Sequence, residues 1–232
     1  MAFEIKRTSH VTNDGVKIAL TGESGSGKTW QTSTLSRPFV LSSEHGLLSL
    51  HRFDIPYVEI TSINDLKEVK ENLVREEIWN SFDTLVVDSI TDIAERCLLE
   101  YKKTVKDTRQ AYSSMMDRVM DELLSICSII GKDLVCIYKY GRIQDLLTGK
   151  VSYGPDVPSD KFASKMPYLF DEVLIMRTGF DADNNFIRRI QTFNDGSVAG
   201  KDRSGCLEPY EPADLGAIIA KIKGGISHGE ES

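Results

Sequence analysis

An octapeptide near the start of the sequence combines residues suited to binding phosphate. In order, its residues are Gly22, Glu23, Ser24, Gly25, Ser26, Gly27, Lys28 and Thr29. Glycines let backbone N–H groups approach phosphate oxygens closely, and a lysine supplies positive charge to the β- and γ-phosphates. The threonine hydroxyl of such a loop is a Mg²⁺ ligand. The pattern predicts that these eight residues bind ATP together with Mg²⁺.

Two carboxylates follow apolar strands farther along the chain. Asp88 ends the apolar run Thr84–Asp88, where a Mg²⁺-binding carboxylate is expected to face a phosphate-binding loop. Capping of the next helix is the alternative role for this residue. Glu44 follows a short predicted strand at 39–41, and a carboxylate there could orient and deprotonate an attacking water. We predict Asp88 as the second metal ligand, and Glu44 as a candidate base that would otherwise be an ordinary surface residue.

The elements that must position these residues alternate between strands and helices. Apolar runs predict strands at 16–20, 39–41, 57–60, 84–88, 134–138 and 172–176. Helical periodicity predicts helices over 64–78, 90–101, 111–130 and 214–223, and a short helix from Lys28 that ends before Pro38. This alternation predicts an α/β fold with a mostly parallel sheet, to which 186–193 adds an antiparallel edge strand.

Length and composition favour one domain over residues 1–223, followed by a polar, disordered tail over 224–232. Segment 140–167 carries glycines and prolines without a clear period and is predicted to be a long functional or mobile loop.

There is no run of 18 apolar residues and no apolar signal core, so we expect a cytoplasmic protein without a membrane partner. The cysteines and histidines lack metal-binding spacing.

The net charge of −7 argues against a nonspecific DNA coat, so any DNA site must be a local basic patch. Two segments are locally basic, with candidate DNA-binding residues Lys102, Lys103, Lys106 and Arg109 in the first and Arg142, Lys150, Lys161 and Lys165 in the second. Two tyrosines of the second segment could stack on bases. Solvated surface segments are the alternative for both.

The octapeptide, the tetrapeptide at 42–45 and the segment 85–89 together resemble the RecA-like ATPases. This resemblance implies a three-layer core with one strand between the loop strand and the Asp88 strand, and it implies that Glu44 is the catalytic base. Segments 109–112, 169–173 and 199–205 resemble more narrowly the short phage ATPases related to Sak-type single-strand annealing recombinases.

The same resemblance implies an assembly. Lys201 and Arg203 would reach the γ-phosphate bound by a neighbouring subunit, as an arginine finger does, with a solvated basic turn as the alternative. It further implies self-association into a ring or filament on single-stranded DNA, in the host cytoplasm if phage-encoded, with a phage single-strand binding protein as a candidate partner. The family usually has a polar γ-phosphate sensor after the fourth strand, and Lys139 is the candidate here.

The function implied is a Mg²⁺-dependent ATPase in DNA recombination or repair. Three alternatives remain open: a packaging or helicase-loading ATPase, a KaiC-type signalling ATPase with a protein partner and no DNA, and a small-molecule kinase.

Overall fold

A computed structural model of the chain describes residues 15–44, 46–129, 131–144 and 148–228. The strands are β1 Lys17–Gly22, β2 Pro38–Ser42, β3 Tyr57–Glu59, β4 Thr84–Asp88, β5 Asp133–Ile137, β6 Tyr140–Gln144, β7 Val151–Pro155, β8 Glu172–Phe180, β9 Phe186–Gln191, β10 Lys201–Asp202 and β11 Tyr210–Pro212. The α-helices are α1 Ile63–Leu73, α2 Glu76–Trp79, α3 Ile90–Thr104, α4 Thr108–Cys127, α5 Asp160–Ala163 and α6 Leu215–His228. Short 3₁₀ helices span Thr29–Thr34, Leu47–Leu50 and Met166–Leu169.

Nine of these strands form one sheet in the order β11-β9-β8-β1-β5-β4-β2-β3, with β10 added beside β8. Strands β1 to β5 and β8 pair in parallel, whereas β9, β10 and β11 pair antiparallel. Strand β5 lies between β1 and β4, which confirms the predicted RecA-like order. The antiparallel addition is also confirmed, although β11 pairs outside β9, so β9 is not the edge.

Helices cover both faces of the sheet. Alternate residues of β1 face opposite sides: Ala19 packs in the core shared with α1, α3 and α4, whereas Ile18 and Leu20 pack in the core shared with α6. Because both faces are buried, the central strands are apolar without a polar alternation. The fold is therefore a three-layer α/β sandwich. Among the residues described, no helix is both long and apolar enough to cross a membrane.

The segment 140–167, predicted as a long loop, contains regular structure. Its first part forms the antiparallel hairpin β6–β7, whose tip at 145–147 lies outside the described residues, and its second part forms α5 and a 3₁₀ helix. A Cβ atom at Gly154 would lie 3.2 Å from Cδ1 of Ile143, so this glycine permits close packing within the hairpin. The loop prediction was wrong because a glycine here permits close strand packing instead of indicating a loop.

Two helix boundaries also differ from prediction. The helix predicted over 64–78 is two helices, because Arg75 is extended and separates α1 from α2. The last helix continues to His228 instead of ending at Lys223, so residues 224–228 are helical. The rest of the predicted tail, 229–232, lies outside the described residues.

Helix α6 packs closely on the 3₁₀ helix that follows the predicted phosphate-binding loop. The backbone N–H of Leu215 donates to Gln31 Oε1 (3.3 Å), and that of Gly216 donates to Thr34 Oγ1 (3.3 Å). A Cβ atom at Gly216 would lie only 2.1 Å from the Thr34 carbonyl oxygen. The absence of a side chain at Gly216 therefore allows the helix to support this turn.

We expect Gly216→Ala to lower the free energy of unfolding by about 1–3 kcal/mol, because the added methyl group overpacks the contact with Thr34. Gly224→Ala is the matched control in the same helix, since nothing lies within 4 Å of a Cβ atom there. The control should be neutral or gain up to about 1 kcal/mol from the better helix propensity of alanine. Urea denaturation measures both changes, and equal effects would contradict the proposed contact.

Candidate nucleotide-binding site

The predicted phosphate-binding loop is a tight turn between β1 and the 3₁₀ helix Thr29–Thr34. Gly25 and Gly27 adopt left-handed backbone conformations, with φ of +76° and +98°, which glycine adopts at low cost. The N–H of Ser26 donates to the Glu23 carbonyl oxygen at 3.2 Å. The helix after the loop has only six residues and is 3₁₀, so its dipole contributes less than expected from the sequence. Anion binding therefore depends mainly on the loop N–H groups and Lys28.

Lys28 is half-buried, with its side chain folded back on the loop. Its Nζ atom donates to the carbonyl oxygens of Gly22 (2.8 Å) and Glu23 (2.9 Å). Burial lowers the pKa of Lys28, against the opposing effect of the Glu44 and Asp88 carboxylates. The lysine side chain is therefore partly withdrawn from solvent, and its ammonium group lies against the carbonyl oxygens of the loop.

Thr29 and Asp88 meet at the carboxyl ends of β1 and β4. The Thr29 hydroxyl donates to Asp88 Oδ2 at 2.7 Å, and Asp88 is 2% exposed. Burial raises the pKa of Asp88, while the Thr29 hydrogen bond and the Lys28 charge oppose that change. The capping alternative does not hold, because Ser89 is the N-cap of α3 and accepts from the Asp92 N–H. The peptide bond between Asp88 and Ser89 is cis.

Lys28, Thr29 and Asp88 line a cleft of about 1010 Å³ together with glycines of the loop. This size is suited to a nucleotide. The Ser26 hydroxyl is buried in the loop without a hydrogen-bond partner among the described residues, which leaves a polar atom for a ligand. The oxygens of Thr29 and Asp88 are the hard donors that Mg²⁺ prefers. The residues present therefore fit a nucleoside triphosphate and a Mg²⁺ ion.

Glu44 also lines this cleft, directly after β2. Burial, a hydrogen bond with Asp92 and the Asp88 charge raise the pKa of Glu44 to about 7. Burial acts to raise the pKa of Asp92 as well, but hydrogen bonds from Glu44, Lys139 and Ser89 leave it below its usual value. The hydrogen bond between the two carboxyl groups thus goes with a raised pKa on Glu44 and a lowered pKa on Asp92. Lys139 Nζ lies 2.7 Å from Asp92 Oδ1 and supplies the compensating charge.

Buried and part-buried hydrogen bonds hold the strand ends that carry these carboxylates. The Ser43 hydroxyl donates to the Ser89 carbonyl oxygen (2.8 Å) and accepts from the Ser89 N–H (2.9 Å). Arg96 donates to the carbonyl oxygens of Ser43 (2.7 Å) and Ile60 (3.0 Å). The ends of β2, β3 and β4 are thereby fixed relative to one another, which positions Glu44 and Asp88.

Three site residues lack a motif in the sequence: Asp92, Arg96 and Arg188. Arg188 comes from the antiparallel strand β9, lines the cleft, and donates from Nε to the Ser26 carbonyl oxygen at 3.2 Å. The sequence gives a local signal for one of the three, Asp92. The spacing Ser89-x-x-Asp92 is typical of a helix cap, which does not indicate a role in the cleft.

Lys201 and Arg203 lie away from the phosphate-binding loop of their own chain. Lys201 pairs with the start of β8, and its Nζ donates to the carbonyl oxygens of Pro167 (2.9 Å) and Phe170 (2.5 Å). Arg203 forms an ion pair with Asp171 (2.9 Å), whose other oxygen accepts from the Lys17 N–H at the start of β1. The loop follows the opposite end of β1, about 16–20 Å away. Their action on a neighbouring subunit stays a prediction.

The candidate DNA-binding residues occupy two exposed surfaces. One is the α3–α4 turn together with the helix ends beside it, with Lys102 and Lys103 in α3, Lys106 in the turn and Arg109 in α4. The other is the β6–β7 hairpin with the adjacent helix α5, which carries Arg142, Lys150, Lys161 and Lys165. In the hairpin, the rings of Tyr140 and Tyr153 stack with centroids 5.5 Å apart. Both surfaces are accessible, and their role in DNA binding stays a prediction.

Known proteins provide a family and a fold comparison. Residues 14–204 match the family model described as an AAA domain. No curated protein matches the chain. Among solved structures, the chain is similar to the KaiC-like protein PH0186 from the hyperthermophilic archaeon Pyrococcus horikoshii OT3, at 15% identity over 77% of this chain and 78% of that chain, with a TM-score of 0.44. It is also similar to the RadB recombinase, at 16% identity over 77% and 80% of the two chains, with a TM-score of 0.48.

The matched segment contains the loop, the Thr29–Asp88 pair and Glu44, and it spans most of the 232 residues. The chain belongs to the AAA-domain family and carries a P-loop nucleotide-binding site.

Proposed function

We propose that this protein is a Mg²⁺-dependent ATPase. The observation that carries the proposal is the convergence of Lys28, Thr29, Asp88 and Glu44 on one cleft. A phosphate-binding loop alone accounts for binding. A cleft that also holds a metal-binding pair and a carboxyl group with a raised pKa has the components for hydrolysis.

Each group has a distinct task in this reaction. The loop N–H groups and Lys28 would bind the β- and γ-phosphates. Thr29 with Asp88 would hold Mg²⁺, which would neutralise phosphate charge. Glu44 accepts a proton from the attacking water, for which it must first be deprotonated. Lys139 lines the same cleft beside Asp92, where an ammonium group is suited to detect the γ-phosphate.

We further propose that the ATPase acts in DNA recombination or repair and assembles on single-stranded DNA, and that it is of phage origin. The support is the sequence resemblance together with the two exposed basic surfaces, which provide local positive charge on an acidic protein. The ATPase rate with and without single-stranded DNA tests this role. A rate that depends on duplex translocation would indicate a packaging or helicase-loading motor. Filter binding that detects no DNA would favour a signalling ATPase.

We expect Lys28→Ala to abolish productive ATP binding and hydrolysis, because the variant loses the lysine charge at the β- and γ-phosphates. Asp88→Asn should instead weaken binding mainly in the presence of Mg²⁺. Titration calorimetry measures both, and circular dichroism checks that each variant is folded. Wild-type turnover in Lys28→Ala would refute the P-loop assignment.

We expect Glu44→Gln to bind ATP but to hydrolyse it at least ~100-fold more slowly, as for loss of a general base. A base with a pKa of about 7 is protonated at lower pH, so the wild-type rate should fall as the pH decreases through about 7. Bound Mg²⁺ moves this fall toward lower pH, and the negative phosphates of ATP oppose that movement. Wild-type rates measured from pH 5 to 9 test this pH dependence. An unchanged turnover number in Glu44→Gln would show that another residue is the base.

We expect replacement of Lys150, Lys161 and Lys165 by Ala to weaken single-strand binding and to lower its salt dependence, because fewer counterions are released. If all three contact phosphates, the slope of log K against log salt should decrease by about 2. Replacement of Lys102, Lys103 and Lys106 by Ala removes the same charge at the α3–α4 surface, so the same measurement tests that surface separately. An unchanged slope in the Lys150, Lys161 and Lys165 variant would show that these three lysines do not contact DNA phosphates.

A further inference from the structure

Arg188 connects the antiparallel part of the sheet to the phosphate-binding loop. Its Nε–H donates to the Ser26 carbonyl oxygen, at 3.2 Å, and its side chain lines the nucleotide cleft. A Cβ atom at Gly27 would lie 3.2 Å from this Nε atom, which is closer than ordinary van der Waals contact. Gly27 therefore serves the loop turn and also leaves room for the Arg188 side chain.

The positive charge of Arg188 is not neutralised by an ion pair within the described part of the chain. Other arginines of this acidic protein do form ion pairs there, such as Arg37 with Asp83 and Arg118 with Glu122. A guanidinium group has five N–H donors, and the bond to Ser26 uses one of them. The Phe186 ring packs on the guanidinium, with its centroid 4.9 Å from Cζ, and restricts its orientation. Arg188 is thus a held cation with donors available to an anion.

We infer that Arg188 binds a phosphate oxygen of the nucleotide held by the loop of its own chain, as a second cation beside Lys28. This inference rests on the ATP-binding function proposed above. A guanidinium group can donate two parallel hydrogen bonds to a phosphate, which a lysine cannot. Because Arg188 already contacts Ser26 within the loop, no neighbouring subunit is needed to bring the charge to the site.

The adjacent residue provides a matched control. Arg189 follows Arg188 in β9, is also exposed, and carries the same charge. Consecutive side chains of a strand point to opposite faces, so Arg189 lies on the other face of β9 and is not among the residues that line the cleft. A variant at Arg189 removes the same net charge without removing the contact with the loop.

The experiment is a titration of wild-type protein, Arg188→Ala, Arg188→Lys and Arg189→Ala with ATP, and separately with inorganic tripolyphosphate. We expect Arg188→Ala to weaken binding of both ligands about 10- to 100-fold, the range for a hydrogen bond to a charged group. Arg188→Lys should lose part of the affinity, and Arg189→Ala should keep that of the wild type. Tripolyphosphate has no base, so its weaker binding identifies a phosphate contact. Arg188→Lys keeps the test decisive if the alanine variant does not fold.

The remaining outcomes separate this inference from the proposed function. If the wild type binds no ATP, or if Lys28→Ala binds as well as the wild type, the proposed function fails. If Lys28→Ala loses binding while Arg188→Ala and Arg188→Lys match the wild type, only the inference on Arg188 is overturned. If Arg188→Ala keeps ATP affinity but lacks turnover, and a mixture with Lys28→Ala recovers it, Arg188 acts on a neighbouring subunit and the inference is also overturned.

Discussion

The hydrogen bond between Thr29 and Asp88 is the contact on which the rest of the site depends. It joins residues 59 positions apart, Thr29 in the 3₁₀ helix after the β1 loop and Asp88 at the end of β4. Strands β1 and β4 are not neighbours in the sheet. Strand β5 lies between them, so the two side chains meet only because β1, β5 and β4 are parallel and end at the same edge. The predicted metal-binding pair therefore requires this order of the central strands. The helices on both sides of the sheet allow these strands to be buried on both faces.

Burying acidic groups at this edge has an electrostatic cost that neighbouring groups offset. Asp88, Glu44 and Asp92 lie close together, and Lys28 and Lys139 are the cations among them. Burial and the neighbouring carboxylates raise the pKa of Glu44, so its neutral form is more easily accommodated beside Asp88 and Asp92. The same raised pKa that lowers the cost of burial also makes Glu44 a suitable proton acceptor near neutral pH. The burial of Glu44 and its proposed role as a base thus depend on the same raised pKa.

The sequence predicted those parts of the site that are encoded locally. The loop glycines, Lys28 and Asp88 follow from spacing and from one apolar run, and the structure brings them together with Glu44, whose place came from the family resemblance. Arg188 was missed because its role depends on how β9 pairs with β8, which no local pattern records. Lys201 and Arg203 were assigned to the γ-phosphate of a neighbouring subunit by resemblance, which stays a prediction. Within the chain they contact the segment just before β8. The β6–β7 hairpin was missed because its strands are short and each contains a glycine.

The carboxyl-terminal third of the chain completes the phosphate-binding turn from two sides. Arg188 contacts the loop at Ser26, and α6 contacts the 3₁₀ helix after the loop at Gln31 and Thr34. A six-residue 3₁₀ helix has little stability of its own, since its hydrogen bonds are poorer than those of an α-helix. Its position must therefore be set by packing, and α6 lies beyond residue 204, where the family match ends. The turn after the phosphate-binding loop thus depends on packing from a helix that lies outside the matched segment.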